Sequence, residues 1–358
     1  MAGARHRGWV VLLGVGLLAA LPLAHRPPVT VAAVGDLILG SAVKRHIAAR
    51  GPGYPFAHIA DRLRGADLTV GNLEGPLTDA VAPTAGKRPE DIRAGRQYIF
   101  RAPPACAEGL AGAGFDVLTL ANNHAMDYRE AGLRDTLQAL RARGVAPVGA
   151  GLDLADARAP VVLHRRGRRV AFLAYSDVIP PLSSAGPRRA GISPARRAGG
   201  GPFERQAARD IAEARARADF VVVLVHWGIE RRTTPTPDQR RVGRAMIAAG
   251  ACAVIGHHPH VLQGIERYGD GIIAYSLGNF VHIAGGITME SALLTLELSP
   301  DRPAACEATP VIIRRGQPQP AAGEAGKRIL ARLAALSGGL ETRMVLEEGV
   351  GRIGGRKT

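Results

Sequence analysis

The sequence predicts an α/β fold with its ligand site at the carboxyl ends of parallel strands. Three observations carry this. Continuous apolar runs, Val29 to Val34 and Phe220 to Val225 above all, suit strands buried on both faces. Each such run ends in a short polar tip, and amphipathic, helix-like stretches fall between the runs. In open sheets of this kind, ligands collect in the crevice beyond the strand ends.

Composition narrows the class. Of 358 residues, 46% are hydrophobic and 22% charged, which excludes disorder throughout and allows a large core. The formal charge of +15 is almost all arginine, with lysine only at Lys44, Lys87, Lys327 and Lys357. Basic residues are spread along the chain and no nucleic-acid motif occurs, so a solvated basic surface suited to anionic partners is favoured over nucleic-acid binding. Cys106, Cys252 and Cys306 are isolated and odd in number, which indicates neither a zinc ribbon nor a disulfide framework.

Residues 1–28 read as a targeting segment. Arg5 and Arg7 precede an uninterrupted apolar run from Gly8 to Ala24, which His25-Arg26-Pro27-Pro28 breaks. That run spans about 25 Å as a helix, the lower limit for crossing a membrane. Pro22-Leu23-Ala24 is a poor cleavage site, so an uncleaved anchor is favoured over a cleaved signal, with the remaining chain exported to the outside of the cytoplasm.

The folded domain is expected over 29–315, and a C-terminal helical appendage with a flexible basic tail over 316–358. The first strand, Val29 to Val34, delivers Gly35-Asp36. An amphipathic stretch from His58 to Arg64 leads to the strand Leu68 to Val70, which ends in Gly71-Asn72-Leu73-Glu74-Gly75. Residues 83–97, rich in proline, glycine and charge, read as a surface loop. A helix near Cys106 to Ala111 precedes the third strand, Asp116 to Leu120, whose tip is Ala121-Asn122-Asn123-His124. A helix from Gly132 to Arg143 follows, then short strands at Val145 to Val148, Val161 to His164 and Val170 to Tyr175. Residues 177–203, rich in proline, glycine and arginine, are expected as an irregular flexible loop.

A helix from Glu204 to Ala218 leads to the strand Phe220 to Val225, which ends in His226-Trp227-Gly228. The next helix has explicit boundaries: Thr236 as N-cap, Pro237 in the first turn, Gln239 closing a capping box and Gly250 as the stop. It feeds the strand Ala251 to Ile255 and the tip Gly256-His257-His258-Pro259-His260. Tyr268-Gly269-Asp270-Gly271 is a hairpin turn before Ile272 to Leu277 and Gly278-Asn279-Phe280. Ser291 to Leu298 and Val311 to Arg314 are late strands, Lys327 to Leu336 a final helix, and the chain from Gly349 is expected to fray.

Three of the eleven histidines thus fall within 257–260, and His258 and His260, separated by a rigid proline, can face the same way. Together with Asp36, Glu74, Asn123 and His226 they gather at successive strand tips. Carboxylate, amide oxygen and imidazole suit one or two divalent ions of manganese, iron, zinc or magnesium, in a catalytic rather than a structural site since no cysteine takes part. Each residue alone has a plainer reading: Asp36 as a turn cap, Glu74 as a loop acid, Asn122-Asn123 as a turn pair, His226 as a core histidine. Their shared position at strand ends outweighs those readings. Arg231 and Arg232 read as solvated.

The ordered set Gly35-Asp36, Asn72-Leu73-Glu74-Gly75, Ala121-Asn122-Asn123-His124 with Asp127 and Tyr128, His226-Trp227-Gly228, Gly256-His257-His258-Pro259-His260 and Tyr275-Ser276-Leu277-Gly278-Asn279-Phe280 resembles the CapA family of bacterial poly-γ-glutamate capsule biosynthesis proteins, over roughly residues 29–285. That family is related to the calcineurin-like metallophosphoesterases. The resemblance therefore implies an αββα sandwich with a two-metal site. It gives Asp36 as the first-motif aspartate, Glu74 as the bridging carboxylate, Asn123, His226, His258 and His260 as further ligands, and His124 as the catalytic histidine. His257 and Asn122 stand as an extra ligand or as support. Three departures mark this chain: Ile38 stands where the phosphoesterase motif has a histidine ligand, Glu74 where it has an aspartate, and Ala125 where it has an acid directly after the histidine.

The implied role is in poly-γ-glutamate metabolism, as a metal-dependent hydrolase. Alternatives are a non-catalytic metal-containing subunit supporting polymer synthesis or export, and an exported metallophosphoesterase with another substrate. Implied partners are poly-γ-glutamate or a phosphate-containing substrate, the membrane through the N-terminal segment, and capsule synthase subunits, with no nucleic acid.

Overall fold

A computed structural model describes residues 27–195, 203–301 and 303–353. The expected apolar export segment lies outside the described residues, as do positions 196–202 of the loop expected over 177–203. Among the described residues no helix is long and apolar enough to cross a membrane.

With strands numbered in chain order, the larger sheet runs β17 (Val345–Glu347), β18 (Val350–Ile353), β15 (Ala305–Arg314), β14 (Glu290–Leu298), β1 (Val29–Leu37), β2 (Leu68–Leu73), β3 (Val117–Thr119) and β4 (Ala146–Val148). β13 (Asn279–Val281) pairs with the end of β1, and β16 (Gln317–Pro320) with β15. The smaller sheet runs β11 (Ile265–Tyr268), β12 (Gly271–Ala274), β10 (Ala253–His257), β9 (Phe220–His226), β7 (Arg168–Ser176) and β6 (Val161–Arg165). A short ladder joins β5 (Ala150–Gly151) to β8 (Gly191–Ile192). The architecture is mixed α/β, with parallel pairing where strands alternate with helices and antiparallel pairing at the edges.

Side-chain alternation explains the layering. On β9, Phe220, Val222 and Leu224 join a core shared with Val31, Val70 and Leu294 of the other sheet. Val221, Val223 and Val225 point the opposite way, onto Ile211 of the helix Phe203–Arg215 and Met246 of the helix Pro237–Ala248. The larger sheet likewise turns Leu37, Leu73 and Leu118 towards Leu110 and Leu137 of the helices Cys106–Ala113 and Arg129–Ala142. Two sheets therefore pack face to face, with helices on their outer faces, and both faces of the central strands are apolar because both are covered. The helix Pro237–Ala248 begins with the expected capping box: the Thr236 hydroxyl accepts from the Gln239 amide, and the Gln239 side chain accepts from Thr236 N–H.

Strand register places the polar tips side by side. Asp36 pairs with Asn72 on β2 and with Asn279 on β13, Asn72 with Thr119 on β3, and His226 with His257 on β10. Two glycines permit this close meeting. A Cβ on Gly35 would lie 2.0 Å from the Gly278 carbonyl oxygen, which accepts the Asp36 N–H at 3.0 Å, and a Cβ on Gly256 would lie 2.0 Å from the Tyr275 carbonyl oxygen.

The C-terminal segment beyond 315 is more than the expected helical appendage. The helix Gly323–Gly338 places Ile329 and Leu333 in the core between the sheets, and the Ser337 hydroxyl accepts the Ile265 N–H of β11. Over 349–353 the expected fraying is corrected, since β18 pairs with β15 from Cys306 to Ala308 and buries Ile353, while positions 354–358 of that tail lie outside the described residues. The glycine content that suggested fraying instead serves close packing: a Cβ on Gly351 would lie 2.5 Å from Met344 Sδ.

Candidate functional site

A buried amide is the hub of the strand-tip cluster. Asn72, on β2, donates from Nδ2 to Asp36 Oδ1 at 2.8 Å and lies 3.3 Å from Glu74 Oε2 and 3.4 Å from His226 Nδ1. Its Oδ1 accepts from Asn122 Nδ2 at 2.9 Å, and Asn122 also donates to the Leu73 carbonyl. Asn72 and Glu74 are two residues apart and share one face of an extended chain, which is a signal that period-2 reading of the sequence could have caught. Asn122 Oδ1 accepts the His124 N–H at 3.0 Å, so its contribution is to hold the turn that carries His124.

His124 reaches the cluster through Nε2, which lies 3.9 Å from Glu74 Oε1. On its other side Nδ1 is 2.7 Å from Asp127 Oδ2 and 3.0 Å from Lys87 Nζ, and Lys87 in turn binds Asp127 Oδ1 at 2.5 Å. The Phe100 ring packs against the imidazole at 4.3 Å, and the Phe100 N–H donates to the Asp127 carboxylate. The acid beside the ring is thus Asp127, three residues after His124 and across a turn in which the Asp127 N–H donates to the His124 carbonyl at 3.0 Å. Lys87 was concealed in a segment read as surface loop. Its signal was its rarity, a lysine in a chain that otherwise uses arginine.

The histidines approach from the facing sheet. His258 and His260 both adopt positive φ, 97° and 57°, which non-glycine residues rarely do, and their rings lie 5.9 Å apart. His260 Nδ1 is 3.2 Å from Asp36 Oδ2 and 3.0 Å from Asn279 Oδ1, while Nε2 is 3.6 Å from Glu74 Oε1. His226 Nε2 is 2.8 Å from Asn123 Oδ1, and its ring is 4.8 Å from that of His258. His257 points elsewhere: its Nε2 lies 3.1 Å from the Val34 carbonyl, beneath β1. Asp36, Glu74, Asn123, His124, His226, His258 and His260 are therefore brought together, with His257 tying the two sheets behind them.

The electrostatics of this cluster are those of a site short of positive charge. Burial pushes Glu74 up to about 8, with the Asp36 charge adding to it. Burial alone would lower His260, yet Glu74 and Asp36 outweigh it and raise it to about 10. Burial and the neighbouring His260 press His258 down to about 4, and burial holds His226 and His257 low. Burial presses Asp36 up, but the His260 bond and charge, with the Asn72 amide, outweigh it and hold Asp36 below the usual carboxylate range. At neutral pH protons thus stabilise Glu74 and His260, and neutral imidazoles stand beside them.

The donors fit a divalent cation. Glu74 Oε1 and His258 Nδ1 are buried without a hydrogen-bond partner, an arrangement that costs stability unless another group satisfies it. Donor atoms of Asp36, Glu74 and His260 lie within 4.8 Å of one another, as do those of Glu230, His258 and His260. Oxygen and imidazole donors without thiolate suit manganese, iron or zinc. Glu230, exposed at the mouth, was not singled out in the sequence; it lies four residues beyond His226.

Fold and site together define an α/β protein with a buried carboxylate and imidazole cluster between its strand tips. Residues 30–283 match the family described as "Bacterial capsule synthesis protein PGA_cap", and the chain belongs to that family. It is 34% identical to the "Capsule biosynthesis protein CapA" of Bacillus anthracis over 84% of this chain and 72% of that protein. It is also 34% identical to the "PGA biosynthesis protein CapA" of Bacillus subtilis, over 80% and 72% respectively. A "Probable polyglutamine synthesis accessory protein" of Mycobacterium tuberculosis is 31% identical over 66% of this chain and 62% of its own length. A hypothetical protein from Thermus thermophilus aligns over 81% of this chain and 95% of its own at 17% identity and a TM-score of 0.42, too distant to carry a fold assignment. The family match contains every candidate residue from Asp36 to His260.

Proposed function

We propose that this chain acts in poly-γ-glutamate capsule synthesis as a divalent-cation-dependent hydrolase, built as a calcineurin-like sandwich and held outside the cytoplasm by its N-terminal segment. The relatives' names and the family support the polymer role. Face-to-face sheets with strand-tip ligands support the phosphoesterase-like fold, and Arg5, Arg7 and the apolar run after them support export.

The observation that carries the enzymatic reading is the chain Lys87–Asp127–His124 ending at the cation donors. Asp36, Glu74, Asn123, His226, His258 and His260 would hold the cation. When bound, it supplies positive charge against a phosphate or a polarised carbonyl and makes a water easier to ionise. Asp127 fixes the His124 ring through Nδ1, which leaves Nε2 to deliver or accept a proton at the substrate. Lys87 holds the other Asp127 oxygen at 2.5 Å, so the carboxylate cannot turn away from the imidazole. The Asn72 amide orients the Asp36 and Glu74 carboxylates and prevents them from turning away. A proton donor placed in this way contributes on the order of 10²–10⁴ in rate.

The test pairs chemistry with biology. Protein purified without chelator is assayed on phosphodiester, phosphomonoester and γ-glutamyl substrates, and His124→Ala and His258→Ala variants are introduced into a strain lacking the protein. Cation-dependent turnover that both variants abolish, with failure to restore polymer, is expected. Restoration of polymer by both variants would instead establish a purely structural subunit.

A further inference from the structure

We propose that Glu230 is a cation ligand of this chain, closing the site on its solvent side together with His258 and His260; the proposal rests on the metal-centre reading above. The end of β1 offers the cluster one side-chain donor, Asp36; Ile38, two residues on, is a buried aliphatic side chain without one. Glu230 supplies one from the opposite side: a carboxylate oxygen of Glu230 and a ring nitrogen each of His258 and His260 lie within 4.8 Å of one another.

Two further features point to a ligand at this spot. His258 is only 5% exposed, and its Nδ1 has no hydrogen-bond partner. The loop that brings Glu230 in is stapled to the histidine turn itself: the Arg231 N–H donates to the Pro259 carbonyl at 2.8 Å, and the Trp227 N–H to the His257 carbonyl at 3.1 Å. Glu230 is thus held by its backbone on the tip it would complete. Two imidazoles and one carboxylate with open positions suit Mn²⁺, Fe²⁺ or Zn²⁺, and an exposed carboxylate can follow the ion as substrate enters.

The experiment measures Mn²⁺ binding to the purified chain by titration calorimetry, with free Mn²⁺ followed in parallel by electron paramagnetic resonance. Glu230→Gln is expected to weaken affinity at least about tenfold, while the thermal midpoint of the cation-free protein stays unchanged because the side chain is exposed. Asp238→Asn, an exposed acid on the helix Pro237–Ala248, is expected to bind as the wild type does. If His258→Ala abolishes binding and Glu230→Gln leaves it intact, the metal centre stands and this inference falls. If the wild-type chain binds no Mn²⁺, both fall.

Discussion

Asp127 Oδ2 lies 2.7 Å from His124 Nδ1, with both groups buried and the opposite ring nitrogen 3.9 Å from Glu74 Oε1. A carboxylate in that position fixes the tautomer and orientation of the imidazole. Asp127→Asn keeps the shape but removes the charge, so turnover on an activated phosphodiester is expected to fall about 10²-fold or more with KM little changed. A rise in KM with kcat intact would show that the pair serves binding instead.

Lys87 and Asp127 form an ion pair at 2.5 Å with exposures of 7% and 1%. Removing one partner strands the other in low dielectric, at a cost of about 3–5 kcal/mol, whereas removing both restores most of the loss. Urea denaturation of Lys87→Met, Asp127→Leu and the double variant is expected to give a coupling energy of that size. Additive losses would mean that water screens the pair.

The pH dependence follows from Glu74 and His260, raised to about 8 and about 10 from ordinary values of 4.5 and 6.5. Both bind protons more tightly in the native chain than in the unfolded one. Their contribution is complete below the ordinary values and is lost as pH rises through the native ones. His226, His257 and His258, which are pressed low, act in the opposite sense only below 6.5. From about pH 7 to about pH 9 the cation-free protein should therefore lose stability, by up to ~1.4 kcal/mol per pH unit for each titrating group. Added Mn²⁺ replaces those protons and should raise the thermal midpoint more at the alkaline end. A midpoint that climbs over this range without cation would contradict the assignment.

Gly35→Ala places a methyl group against the Gly278 carbonyl at the strand crossing that delivers Asp36. Backbone must move, so a loss of about 3 kcal/mol is expected, with cation affinity falling alongside. Gly112→Ala, which meets nothing within 4 Å, is the control and should be neutral or slightly stabilising.

The fold was legible where strands are buried on both faces, because Val29–Val34 and Phe220–Val225 are short, rich in β-branched residues and end in polar tips. The site was legible where chemistry sits on strand tips, since chain direction alone delivers Asp36, Glu74, Asn123 and the histidines to one end. Partners brought from loops were not. Lys87 reaches Asp127 across forty residues of chain, and Glu230 depends on a backbone staple that no local pattern announces. The sequence leaves His257 open as an extra ligand or as support. As the last residue of β10, whose side chains alternate in direction, it turns away from His258, onto the Val34 carbonyl.

The pairing of β18 with β15, and the seating of the helix Gly323–Gly338 on β11, bear on how the chain comes to be functional. A growing polypeptide that has reached residue 285 already carries all the chemistry, yet lacks β14, the antiparallel neighbour of β1, and the helix that packs against the second sheet. These are contacts of long sequence separation, slow to form and costly to lose. The order of synthesis therefore makes assembly of the cluster a late event, so a truncation well downstream of His260 would disrupt it without touching any of its side chains.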